Sequence, residues 1–193
     1  MPDEELRFLF VSGRLCLAFC ATLGQRWHSN LERLGTAGDL ARWYVEAGLL
    51  NAPLPTSPAG LRQARRLREA IYRMAKSGIA GQAPSLGDEE IINTAAAAPP
   101  LVPRIRHGAA SLVAPGPGGE AEAAALSVVA RDAIDLFTSP LSSRMRECAS
   151  SHCGLLFVDL SRPGQRRWCS SRTCGGRERA AAYRRRRTNP QAS

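Results

Sequence analysis

The stretch CASSHCGLLFVDLSRPGQRRWCSSRTC, residues 148–174, carries four of the chain's six cysteines, spaced as Cys148-x4-Cys153 and Cys169-x4-Cys174. Zinc takes four soft or borderline ligands in a tetrahedron, and two short loops supplying two thiolates each meet that demand. Between the pairs, Leu155–Asp159 reads as a strand, Ser161–Gln165 as a turn and Arg166–Trp168 as a second strand. This hairpin is expected to bring the two loops side by side. So small a module buries little core, and metal binding is expected to drive its folding, by roughly 10–16 kcal/mol in comparable finger peptides. Cys148, Cys153, Cys169 and Cys174 are thus expected to hold one structural Zn2+. The alternative, four reduced buried thiols, leaves the matched spacings unexplained. His152 adjoins Cys153 as a substitute ligand, but with four cysteines at hand it is expected to be exposed.

Downstream of Cys174, the run Gly175–Tyr183 is rich in Ala and favours a helix, followed by Arg184–Arg187. The helix start would lie against the metal site, where its dipole offsets the charge of four thiolates. Residues 1–143 hold 14 basic and 14 acidic side chains, whereas residues 144–193 hold 12 arginines against Glu147, Asp159 and Glu178. The whole excess of +9 therefore lies in the last quarter of the chain. Such asymmetry points to a polyanionic partner for that segment alone. Arginine forks suit phosphate and guanine edges, so Arg166, Arg167, Arg172, Arg177, Arg179 and Arg184 are the candidate nucleic-acid contacts. The alternative for Arg184–Arg187 is a solvated basic tail. Trp168 is expected to pack under the hairpin rather than stack on a base.

The rest of the chain reads as mainly helical with a small β portion, an α+β class. Of its 193 residues 30 are Ala, and only about a fifth are Leu, Ile, Val or Phe, so the core should be modest. Leu6–Val11 and Leu15–Phe19, flanking Ser12-Gly13, suggest a β-hairpin, in which Cys16 and Cys20 would be small core residues. Thr36-x-x-Asp39 resembles a capping box opening a helix through Leu40, Trp43, Tyr44 and Ala47. Ser57 with Pro58 opens another, whose apolar stripe is Leu61, Ala64, Leu67, Ile71 and Met74. Arg62, Arg65, Arg66 and Arg68 are expected mostly on its wet face. A helix beginning near Asp88 must end at Pro99-Pro100, and Leu101–Val113 suggests a short hairpin turning at His107-Gly108. Leu126, Val129, Ala130, Ala133 and Phe137 mark a further helix, closed by Ser139-Pro140.

The longest uncharged stretch has 15 residues, 47–61, short of the roughly 20 a membrane helix needs. Met1-Pro2-Asp3-Glu4-Glu5 is the reverse of a basic secretory start, so no membrane and a cytoplasmic location are expected.

At Cys148, Cys153, Leu156-Phe157-x-Asp159-x-Ser161-Arg162, Arg166-x-Trp168-Cys169 and Cys174-Gly175-Gly176-Arg177 the sequence resembles the CGNR zinc-finger family. Gly176 stands where that family has Asn. Residues 5–140 resemble the ABATE domain that precedes such fingers, through Gly13-x-x-Cys16-Leu17-x-Phe19, Asp39-Leu40-x-x-Trp43 and Leu67–Tyr72. The resemblance implies a stress-induced bacterial transcription regulator. The expected organisation is a regulatory or dimerisation domain over 1–140, a zinc finger over 141–187 and a disordered tail over 188–193.

The function expected from these readings is a zinc-containing regulator that binds double-stranded DNA, with a small-molecule effector or homodimerisation assigned to the N-terminal domain. A single finger covers little DNA, which favours a homodimer. RNA binding by the same module, and a non-enzymatic adaptor docking on an acidic protein, are the rivals. Catalysis is not expected: four Cys ligands leave zinc no open position, and His28, His107 and His152 are scattered. Trp27, His28, Trp43 and Tyr44 either line a pocket or form core, and core is the expected outcome.

Overall fold

The computed structural model describes residues 6–106 and 108–188. The elements run α1 (Leu15–Cys20), β1 (Leu23–Gly24), β2 (Leu31–Glu32), α2 (Ala37–Glu46), α3 (Pro58–Ile79) and α4 (Leu86–Ala97). They continue with β3 (Val102–Arg106), β4 (Ala109–Val113), α5 (Gly119–Thr138), β5 (Met145–Glu147), β6 (Leu156–Val158) and α6 (Cys174–Thr188). The strands form three separate antiparallel pairs, β1–β2, β3–β4 and β5–β6. The chain is thus mainly α with a small β portion, a helical body followed by a Cys-bearing module with short strands and a basic helix.

Capping explains the two best-defined starts. Thr36 Oγ1 accepts from the Asp39 N–H at 3.2 Å while Asp39 accepts from the Thr36 N–H at 2.8 Å, closing the capping box of α2. Ser57 Oγ accepts from the Gly60 N–H at 2.9 Å, with Pro58 in the first turn of α3. The carboxylate of Glu122, buried on α5, accepts from both the N–H and Oγ of Ser57. A Cβ at position 60 would collide with that carboxylate, so a larger residue there would push Glu122 off its hydrogen bonds to Ser57.

Two local expectations give way to packing. Leu15–Cys20 is a helix, not a strand, and Leu6–Val11 pairs with nothing as a strand. Cys16, Leu17, Ala18, Phe19 and Cys20 are all buried, so an apolar run enclosed on every side carries no period to tell helix from strand. Its start is capped from afar: Asp132 on α5 accepts from the Cys16 N–H at 2.8 Å and pairs with Arg14. Burial pushes the Cys20 thiol up to about 12 and that of Cys16 well above its ordinary value, so both are inert packing groups.

The second difference concerns α3. Arg62 and Arg66 do face water, and Arg65 spends its guanidinium on the Leu34 carbonyl. Arg68, however, is only 3% exposed, clamped by Glu32 and Glu69. The main core gathers Phe19, Trp43, Tyr44, Leu67, Ile71 and Leu136. Trp43 and Tyr44 are therefore core, whereas Trp27 is 57% exposed and His28 also faces solvent.

The β3–β4 hairpin forms as expected, pairing Val102 with Val113 through to Arg106 with Ala109. His107, at its turn, and residues 189–193 of the C-terminal tail lie outside the described residues. No helix among the described residues is long and apolar enough to cross a membrane.

Candidate metal centre and basic surface

The strand pairing that builds the metal site differs from the expected one. Leu156–Val158 pairs not with Arg166–Trp168 but backwards with Met145–Glu147, matching Met145 to Val158 and Glu147 to Leu156. The first cysteine loop is consequently the connection of this β5–β6 hairpin. The Cys148 N–H donates to the Leu155 carbonyl at 2.8 Å and the Cys153 N–H to the Ser150 carbonyl at 3.1 Å. Residues 159–168 instead form an irregular loop organised by buried Asp159. Its carboxylate accepts from Ser161 Oγ at 2.6 Å, the Ser161 N–H at 2.9 Å and the Arg166 N–H at 2.8 Å. These donors, Ser161 Oγ first, draw its carboxyl down to about 2. The Asp-x-Ser spacing is the sequence signal of such an Asx turn. The Ala149 N–H then reaches the Arg167 carbonyl at 2.8 Å, drawing the second cysteine loop onto the first.

Cys148, Cys153, Cys169 and Cys174 meet here, their sulfurs all within 4.8 Å of one another. Cys153–Cys169 measures 3.6 Å and Cys169–Cys174 3.7 Å between sulfurs. Zn–S bonds of about 2.3 Å imply tetrahedral edges of roughly 3.8 Å, so the four fit one zinc ion. The chemistry of the set agrees. S–H donors from its three neighbours draw the Cys148 thiol far below its ordinary value, while the resulting negative sulfur holds Cys153 and Cys169 far above theirs. A dication is what lets all four sulfurs be thiolates together. α6 begins at Cys174 itself and directs its N-terminal dipole at the cluster. Four protein ligands make the zinc structural.

Gly176 sits in this first turn with open surroundings. A Cβ there would come no closer than 4.0 Å to the Ser171 carbonyl, and its φ is not in the left-handed region. Gly176→Ala is therefore expected to stabilise by about 0.4–1 kcal/mol through the unfolded chain, measured by urea unfolding of the zinc-loaded protein.

The module is fused to the body. Met145, Leu156 and Val158 belong to the main core, and the Val158 N–H donates to the Ser12 carbonyl at 2.9 Å. Glu147, next to Cys148, pairs with Lys76 of α3 and accepts from Trp27 Nε1 at 3.1 Å. His152 is exposed and meets His28 edge-on at 5.5 Å. A smaller cluster of Phe157, Leu155 and the buried cysteines takes half-buried Trp168.

The expected cationic residues divide. Arg167, Arg172, Arg177, Arg179 and Arg184 are exposed on the second cysteine loop and α6. Arg167 lies over the Trp168 ring at 5.3 Å, and Arg179 holds the Ser171 carbonyl at 3.0 Å. Arg166 turns inward: it donates to the Trp168 carbonyl at 2.8 Å and to that of Cys169, and lies over the Phe157 ring at 4.7 Å. Sequence reading had no means of separating it from its neighbour Arg167.

Residues 13–140 match the ABATE family, described as "Putative stress-induced transcription regulator", and residues 144–187 match the CGNR zinc finger. No curated protein matches the chain.

Proposed function

Since the chain belongs to the ABATE family and is a zinc-binding protein of the regulator type, we propose that it binds double-stranded DNA through its zinc finger. The carrying observation is the row of exposed arginines on a metal-braced scaffold: Arg167, Arg172, Arg177, Arg179 and Arg184 face solvent around one zinc site. Zinc fixes the second cysteine loop and the start of α6, so these side chains are presented from a rigid base. Arg166 serves by holding the backbone beneath them. In this reading residues 1–140 regulate or dimerise, residues 141–187 contact DNA, and a homodimer in the cytoplasm supplies a second module.

Five arginines on phosphates predict a log–log salt slope of binding of about −4.5, at about −0.9 per phosphate. The test is titration of the full chain against a random-sequence duplex between low and physiological salt. Because Met145, Leu156 and Val158 lie in the main core, the comparison is charge reversal rather than truncation. The double variant Arg177→Glu, Arg184→Glu should shallow the slope by about 2. A flat slope in the parent, or structured RNA outcompeting the duplex, would sink the reading. A nuclease-resistant acidic protein partner found in its place would favour the adaptor.

A further inference from the structure

The connection between β1 and β2, residues 25–30, is where the body of the protein reaches the first cysteine loop. Arg26 anchors it on α3, pairing with Glu69 at 2.7 Å and lying over the Tyr72 ring. Trp27 donates through Nε1 to Glu147, and a Cβ on Gly154 would lie 3.0 Å from that nitrogen. The next residue, His28, meets His152 of the first cysteine loop with ring centres 5.5 Å apart and ring planes at 86°. The connection is tightly wound. Gln25 and Asn30, at its ends, both take left-handed φ, 49° and 51°, and the Gln25 carbonyl accepts from the N–H groups of His28, Ser29 and Asn30. The backbone under His28 is thus fixed, and so is that under His152, whose neighbour Cys153 donates to the Ser150 carbonyl. Both rings face solvent.

We propose that His28 and His152 form a second divalent-metal site, separate from the four-cysteine centre, in which a borderline transition-metal ion clasps the body to the zinc module. Imidazole suits such ions. Two rings sharing one ion, with Zn–N bonds of about 2.0–2.1 Å, put their centres roughly 5 Å apart at a tetrahedral angle. A separation of 5.5 Å is a small side-chain rotation from that, and exposed rings are free to turn. Water completes the coordination. Arg7, Arg33, Arg177 and Arg184 line the recess beside the pair and oppose a cation. What offsets them is the zinc–thiolate cluster, whose four sulfurs outweigh one dication and leave net negative charge beside His152. Two imidazoles still hold zinc more weakly than four thiolates, so a desalted chain keeps only its first ion. The clasp does not depend on DNA binding. By linkage, an ion that bridges the two parts stabilises the folded chain.

The probe is Zn2+ itself, in equilibrium dialysis of untagged full chain that already carries its first ion. A second, saturable equivalent is expected, and excess Mg2+, which takes oxygen ligands, should not displace it. His28→Ala and His152→Ala should each weaken the second equivalent at least tenfold, while His107→Ala leaves it at the parental affinity. The first equivalent and the helical circular dichroism should stay parental in His28→Ala, which decides the matter even where His152→Ala disturbs the neighbouring Cys153. Filling the second site should raise the Tm of the parent and not that of His28→Ala. Absence of a second equivalent overturns the site, and so does one that Mg2+ displaces or that His28→Ala leaves unchanged. A second equivalent that does not move the Tm overturns the clasp.

Discussion

Cys169→Ser abolishes stoichiometric zinc binding and melts the C-terminal module into the body of the protein: that is the expected result with the largest effect. Cys169 is the sulfur placed close to both Cys153 and Cys174, at 3.6 and 3.7 Å, so it joins the two cysteine loops. A serine hydroxyl stays protonated at neutral pH and is a poor zinc ligand. Metal binding contributes about 10–16 kcal/mol to finger peptides near pH 7, far more than three remaining sulfurs recover. The damage spreads because the β5–β6 hairpin delivers Met145, Leu156 and Val158 to the main core, each burial contributing roughly 1.5–3 kcal/mol. Metal analysis should fall from about one zinc per chain to under a tenth. Circular dichroism should lose α6, and the Tm should fall by at least about 10 °C. A strong chelator on the parent protein should reproduce all three changes. Retention of full zinc by the variant would show that His152 or another group completes the site.

Arg68→Met should destabilise by about 3–5 kcal/mol, the usual consequence of removing one partner from a buried ionic network. Arg68 donates to Glu32 through both terminal nitrogens at 2.7 and 2.8 Å and to Glu69 through Nε at 2.8 Å. Methionine fills much of the volume but leaves Glu32 and Glu69 with only Arg65, 3.6 Å from Glu32, and Arg26, 2.7 Å from Glu69, to balance them among the described residues. Burial pushes the Glu69 carboxyl up, but hydrogen bonds from Arg26 and Arg68 outweigh it and hold the group below its ordinary value. Its contribution is therefore complete above the usual glutamate range and is lost as pH falls below it. That acid-side loss should shrink in Arg68→Met, since part of the depression has gone. Urea unfolding at pH 7 and pH 4 reads both effects, with exposed Arg62→Met expected within about 0.5 kcal/mol of the parent. A loss for Arg68→Met no larger than that control would show the network to be energetically idle.

Local chemistry was legible wherever the cause is local. Thr36 with Asp39, and Ser57 with Pro58, state their helix starts because a cap hydrogen bond spans only three residues. The Leu101–Val113 hairpin was readable in the same way. The four cysteines were legible because coordination to one ion dictates their type and spacing. What the sequence could not show are choices between partners. Leu156–Val158 had two neighbouring segments to pair with, and it took Met145–Glu147 because that arrangement also places Met145 and Val158 in the body's core. Arg68 looked like its neighbours Arg65 and Arg66 until Glu32, from a strand 36 residues earlier, was brought beneath it.

The sequence by itself determined a mainly helical chain, a zinc ligand set of Cys148, Cys153, Cys169 and Cys174, and the confinement of excess positive charge to the last quarter. Each follows from composition or from contacts a few residues long. Only the tertiary structure decided that Leu15–Cys20 is a helix, capped by Asp132 more than a hundred residues away. It alone separated inward Arg166 from exposed Arg167, and brought His28 against His152 from two distant parts of the chain. The reason is common to all three. An enclosed apolar run and a polar side chain's direction have no period of their own, and they take their state from whichever distant surface packs against them.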